Sequence, residues 1–240
     1  GEPSMTRGTV YEAGLPKGTD ATSDSELIVN GVLTLNPGFT VHDAQSGTAS
    51  HGTWSVGVDG KYSYTLTSAV FGGSVPDSFT YTAKDVNGNP VTNTVNIAIV
   101  DDVPKAVADT GNVTEGATLT VSASNGVVQH NDQSGADGWS VPSGPVVGVA
   151  AGSTIATQTS GVDTDITTSL GTLHLHANGS YTYKANANAI TANATDTFVY
   201  TVMDGDGNPA STTLTINISD ASGEPSMTRG TVYEAGLPKG

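Results

Sequence analysis

The sequence predicts an all-β chain of two tandem antiparallel β-sandwiches set end to end in a rod. Three observations predict it. Charged residues are 13% of the chain and Gly is 30 of 240, the composition of short strands and tight turns rather than of helices. Apolar and polar residues alternate in run after run, and turn dipeptides separate the runs. The sequence also repeats itself on two scales.

The longer repeat is literal. Residues 1–18, GEPSMTRGTVYEAGLPKG, recur letter for letter as residues 223–240, a period of 222 residues. The chain reads as one full period of a tandem array plus the opening of the next copy. Gly1 falls inside a repeat, so any targeting signal is expected elsewhere. Repetition on this scale belongs to proteins whose work depends on length or copy number, and it argues against a unique catalytic centre. The shorter repeat lies within the period. Residues 52–102 align without a gap on residues 171–221, an offset of 119. Shared positions include Gly52/Gly171, Tyr62/Tyr181, Tyr64/Tyr183, Asp77/Asp196, Phe79/Phe198, Tyr81/Tyr200, Asp85/Asp204, Asn89/Asn208 and Pro90/Pro209. Upstream, GTVYE at 8–12 matches GNVTE at 111–115 and pairs Glu12 with Glu115. The predicted units are residues 1–101 and 105–220, with 223–240 the first strand of a further copy.

The strands follow in order. In the first unit Tyr62, Tyr64 and Leu66 alternate with Ser63 and Thr65. Phe79, Tyr81 and Ala83 alternate with Thr80 and Thr82, and Val95, Ile97 and Ile99 with Asn96 and Ala98. In the second, Phe198, Tyr200 and Val202 form one such series and Leu214, Ile216 and Ile218 another. Period 2 with one apolar face is a half-buried strand. Asp59-Gly60, Asn87-Gly88, Asn178-Gly179 and the run Asp204-Gly205-Asp206-Gly207 are hairpin signals, because these residues tolerate positive φ. About seven strands in roughly 100 residues is the pattern of an immunoglobulin-like sandwich, and a unit of that size buries one adequate core.

Charge and composition exclude several classes. Lys+Arg 8 against Asp+Glu 23 gives a net charge of −15, which repels nucleic acid and anionic membranes and attracts cations. No cysteine is present, so a large core or bound metal must replace disulfides. No apolar run reaches 18 residues. No phosphate loop, nucleophile elbow or HExxH motif occurs, and no enzymatic activity is expected. The expected partners are neighbouring repeats of the same chain, with no nucleic acid and no direct membrane contact, and the fragment is expected to be a monomer. His174 and His176 share one strand face at i, i+2. With no third ligand in view, they read as surface strand residues rather than a zinc pair. Trp54 and Trp139 read as core or pole packing rather than a sugar platform.

The segments GTLHLHANGSYTYKAN at 171–186, DTFVYTVMDGDGNPASTTLTINISD at 196–220, DDVPKAVADTGNVTEGATLTV at 101–121 and HNDQSGADGW at 130–139 resemble the cadherin-like and VCBS-type bacterial immunoglobulin-like repeats. Such repeats build the stalks of type I-secreted RTX adhesins. The likeness covers the second unit nearly end to end and the first from residue 52 onward. It implies an extracellular extender on the bacterial cell surface, anchored in the outer membrane through other regions and rigidified by calcium between domains. The alternative is an adhesion module that itself grips a carbohydrate or protein.

The sandwich topology places the candidate calcium ligands. The hairpin between the last two strands stands at the pole where the chain enters the domain. For the second unit this brings Asp204, Asp206 and Asn208 beside the entering linker with Asp101 and Asp102, while Glu12 closes the first strand of the unit above. Calcium needs six to eight oxygen ligands, and these side chains with backbone carbonyls supply them. Asp132 and Asp137, from the same pole, are weaker candidates. Asp220 and Glu115 would form half of an equivalent site at the far pole. Asp85, in the first unit's hairpin with Asn87 and Asn89, would belong to another, weaker because Asn87 stands where the second hairpin has Asp206.

Overall fold

The computed structural model describes residues 2–73 and 75–221. The repeated stretch 223–240 lies outside them. The chain is all-β. Its first seven strands are β1 (Met5–Tyr11), β2 (Leu27–Val32), β3 (Gln45–Thr48), β4 (Gly52–Val56), β5 (Lys61–Leu66), β6 (Asp77–Lys84) and β7 (Pro90–Val100). The next eight are β8 (Asp109–Thr114), β9 (Thr118–Val121), β10 (Val146–Ala151), β11 (Asp165–Thr167), β12 (Gly171–Leu175), β13 (Tyr181–Ala185), β14 (Ala194–Met203) and β15 (Pro209–Ser219).

Each unit is a sandwich of two sheets. In the first, β1-β7-β6 faces β2-β5-β4-β3; in the second, β10-β14-β15-β8 faces β11-β12-β13-β9. The alternating residues meet between the sheets. Tyr64, Leu66, Phe79, Tyr81, Val95, Ile97 and Ile99 form the first core. Leu173, Leu175, Tyr183, Phe198, Tyr200, Leu214 and Ile216 form the second. Trp54 stacks on Phe79 with ring centroids 4.5 Å apart, and Trp139 packs on the second core, so both tryptophans are packing residues.

The offset of 119 residues is also a structural correspondence. The Tyr64 hydroxyl donates to Asp77 at 2.6 Å and the Tyr183 hydroxyl to Asp196 at 2.7 Å. Room for each ring comes from the aligned glycines. A Cβ on Gly52 would lie 2.6 Å from the Tyr64 ring, and one on Gly171 2.5 Å from that of Tyr183. No side chain fits there.

One pairing is invisible to period-2 alternation, which does not distinguish a parallel from an antiparallel partner. The first strand of each unit runs parallel to the last: β1 pairs with β7 and β8 with β15. The register ends with Tyr11 opposite Val100 in the first unit, and with Thr114 opposite Ser219 in the second. Because the strands are parallel, their next residues leave the sheet side by side at the same pole. Those residues are Glu12 with Asp101, and Glu115 with Asp220.

Candidate metal centre

The β1–β7 register puts two carboxylates together where the first unit ends. Glu12 opens a 3-10 turn, Glu12–Gly14, and is fully buried. Its Oε1 accepts the Val70 backbone N–H at 2.6 Å, and its Oε2 accepts that of Asp102 at 3.4 Å. Asp101 begins the linker. A third carboxylate comes from the second unit. The Gly205 N–H donates to the Gly138 carbonyl and the Ser140 N–H to the Met203 carbonyl, both at 2.9 Å, while Trp139 bridges Asp204. This strip of pairing holds Asp137 against the hairpin that follows β14. One carboxylate oxygen from each of Glu12, Asp101 and Asp137 then lies within 4.8 Å of the others.

The hairpin supplies the rest of the acidic rim. Asp204 is fully buried and shapes the turn: its Oδ1 accepts the Asp206 N–H at 3.0 Å and the Asn208 N–H at 2.8 Å. The Asn208 side-chain amide joins Asp101 to Asp204, at 2.8 and 3.3 Å. Asp206 reaches across to the first unit, where its Oδ1 accepts the Gly72 N–H at 2.7 Å. Asp102 points elsewhere. Its carboxylate accepts the Thr19 N–H at 2.9 Å, the Thr19 hydroxyl at 2.6 Å and the Ala136 N–H at 3.0 Å, so it acts as a strut between the two units. Gly135 must be glycine beside it, with φ +80° and a hypothetical Cβ 2.7 Å from Asp102 Oδ2.

Two properties of this centre point to a cation. Asp101 Oδ1, both oxygens of Asp137 and Asp206 Oδ2 are buried and accept no hydrogen bond, although buried carboxylate oxygens ordinarily find donors. The proton affinities also rise. Burial pushes Glu12 up to about 7, and Asp101 at its side adds to the rise. Burial, with Asp101, Glu12 and Asp206 around it, pushes Asp137 up to about 9. Asp204 is likewise raised, chiefly by burial. Two ionised carboxylates no more than 4.8 Å apart repel by at least roughly 3 kcal/mol at an effective dielectric of about 20. Without a cation the cluster holds protons instead. The donor set is all oxygen, suited to a hard divalent ion.

The other candidates sit apart from this cluster. Asp132 lies within the second unit, where it accepts from Val107 N–H at 2.7 Å and from the Tyr200 hydroxyl at 2.9 Å. Burial pushes it up to about 7. Glu115 and Asp220 are paired at the far pole by the β8–β15 register; Glu115 accepts the Ile190 N–H at 3.0 Å. Asp85 repeats the role of Asp204, accepting from the Asn87 and Asn89 N–H groups and from the Asn89 amide. These donors, the Asn89 amide foremost, hold it below the usual carboxylate range. Among the described residues, neither Asp85 nor the Glu115–Asp220 pair belongs to a three-ligand group.

Sequence reasoning missed Thr19, which holds Asp102, and the 70–72 loop, which holds Glu12 within the first unit and reaches Asp206 of the second. Most of their contribution is backbone N–H, which every residue except proline carries, so no side-chain pattern marks it.

The bacterial cadherin-like domain family matches residues 101–220, and the bacterial Ig domain family matches residues 9–98. No curated protein matches the chain. Among solved structures, Drosophila N-cadherin EC1-4 is similar at 12% identity and a TM-score of 0.29. That similarity covers 89% of this chain and 48% of the other, so the chain spans about half the length of that cadherin fragment. Mouse protocadherin-24 EC1-3 is similar at 10% identity and a TM-score of 0.32, over 90% of this chain and 68% of that one.

Proposed function

The chain belongs to the bacterial cadherin-like domain family, and we propose that it is a structural extender whose two sandwiches are locked by calcium at their junction. The observation that carries this reading is the set of buried, donor-less carboxylate oxygens contributed from both sides of the linker. Glu12, Asp101, Asp137 and Asp206 would hold the ion, with Asp204 and Asn208 shaping the hairpin that presents Asp206. Calcium bound there would supply the positive charge that offsets the repulsion among these groups. The chain's own part is to fix the linker: the Asp102–Thr19 and Asp102–Ala136 bonds and the Asp206–Gly72 bond already span the two units.

In this reading the units are residues 1–101 and 105–220, and the partners are neighbouring repeats of the same chain. Glu115 and Asp220 would open the next junction and Asp85 the preceding one. The module would work as a monomer, outside the cell, in the stalk of an RTX-type surface adhesin exported by type I secretion. It catalyses no reaction. Among the described residues no helix is long and apolar enough to cross a membrane.

Calorimetric titration of calcium into the chain tests the proposal. Binding that disappears in an Asp101→Asn, Asp137→Asn double variant supports it. Binding that survives the double variant, or no heat at millimolar calcium, refutes it.

A further inference from the structure

A second, chemically different cluster lies on the outer face of the second unit, at the β11–β12 edge of its sheet. Leu173 and Leu175 of β12 are fully buried, so His174 and the following His176 face outward. Their ring centroids are 4.9 Å apart. The β11–β12 register sets Asp165 opposite His174, and Asp165 Oδ1 lies 2.8 Å from His174 Nδ1. The turn before β11 brings in a second carboxylate. Asp163 adopts φ +58°, its N–H donates to the Leu175 carbonyl at 2.9 Å, and its Oδ1 lies 2.6 Å from His176 Nδ1. The two histidines are thus matched by two carboxylates from the neighbouring strand and turn. One ligand atom from each of Asp163, His174 and His176 lies within 4.8 Å of the others.

We propose that Asp163, His174 and His176 form a binding site for a borderline divalent transition ion of the Zn2+ class, separate from the calcium junction. Imidazole nitrogens select such ions over calcium and magnesium, which prefer all-oxygen shells. Asp165 supplies the outer support that metal-bound histidines ordinarily have. The Asp165 carboxylate on His174 Nδ1 fixes that ring's tautomer and leaves its Nε2 as the ligand, while at His176 the ion would take the place of the proton shared between Nδ1 and Asp163 Oδ1. Tetrahedral zinc has bonds of about 2.0–2.1 Å to nitrogen and oxygen, so His174 must close in modestly while His176 Nδ1 and Asp163 Oδ1, 2.6 Å apart, must separate slightly to admit the ion. They are free to do so, since the His174 and His176 side chains are 32% and 45% exposed and that of Asp163 60%. Water completes the shell. The remaining histidines, His42, His51 and His130, belong to no such group among the described residues.

The test is a Zn2+ titration of the whole chain in saturating calcium, followed through the histidine ring resonances by NMR. The rings of His174 and His176 should shift together and saturate at one equivalent, while those of His42, His51 and His130 stay in place. His174→Ala and His176→Ala should each weaken binding at least about tenfold. Asp165→Asn should weaken it by about 10- to 100-fold, as loss of an outer-shell carboxylate does. The proposal is overturned if His174 and His176 do not shift at one equivalent, if the other histidines shift at the same midpoint, or if further calcium displaces the zinc. It is overturned equally if the alanine variants bind as the parent does.

Discussion

Metal-free protein should lose stability as pH rises from 5 to 7, the reverse of ordinary carboxylate behaviour. Glu12 is raised to about 7 and Asp137 to about 9 in the folded state, whereas unfolded carboxylates titrate near 4. The folded chain therefore binds more protons than the unfolded one across this window, and stability falls with pH wherever that holds. Because the two groups are coupled, the conservative count is one proton held by the cluster. At about 1.4 kcal/mol per pH unit that is ~3 kcal/mol over two units, and solvent screening at the part-buried Asp137 lowers it to ~1–2 kcal/mol. For a sandwich of this size the melting temperature should fall by roughly 5–15 °C. Calcium requires the deprotonated ligands, so its stabilisation grows over the same window and offsets the fall. Asp132, raised to about 7 by burial within the second unit, adds a loss of the same sign with and without calcium. The difference between the two melting curves thus isolates the junction. A chelator curve that is flat or rising from pH 5 to 7, or one that runs parallel to the calcium curve, would refute the reasoning.

Asp137→Asn should raise the melting temperature in chelator at pH 7.5, because the amide mimics the protonated acid, and should remove most of the calcium increment. That increment is about 2.7 kcal/mol at a hundredfold excess over the dissociation constant, and unchanged calcium stabilisation in this variant would exclude Asp137 as a ligand. Tyr64→Phe should cost ~1–2 kcal/mol in denaturant unfolding by removing the hydroxyl from buried Asp77. Burial works against Asp77's charge, but the Tyr64 hydroxyl and three backbone N–H groups prevail and hold it below its usual value. Its stabilisation is present above about pH 4 and disappears as pH falls through the lowered value, so the stability gap between parent and variant should narrow in acid, and Tyr64→Phe should begin to unfold at the higher pH. Equal acid profiles would contradict that assignment. Gly171→Ala should cost ~1–3 kcal/mol by overpacking, since its Cβ would lie 2.5 Å from both the Lys184 carbonyl and the Tyr183 ring; a neutral substitution would show that β12 and β13 are looser than described.

The fold was legible because each strand's alternation agrees with the core it enters: Tyr64, Phe79 and Ile97 in one unit, and Tyr183, Phe198 and Ile216 in the other. The parallel β1–β7 pairing was not, because a seven-residue strand carries no mark of its partner's direction. The acidic character of the junction could be read from the linker and the hairpin. The internal division of labour could not. Whether Asp102 faces the cluster or Thr19, and whether Asp137 enters it, depends on the path of residues 135–140, which glycines at 135 and 138 permit but do not dictate. The histidine pair shows the same limit. Its periodicity is visible, while its third donor, Asp163, lies eleven residues before His174 in sequence and reaches the site through the β11–β12 pairing.

Small-angle scattering of the chain with calcium and with chelator tests the central claim most directly. A calcium-locked junction gives a rod of roughly 80 Å, from two sandwiches with strands of about ten residues at ~3.3 Å each plus loops. In chelator at pH 8 the distribution of shapes should broaden as the junction carboxylates repel. An Asp101→Asn, Asp137→Asn double variant should give the same profile in both conditions. A parent profile that chelator leaves unchanged would contradict the claim that calcium locks the two units.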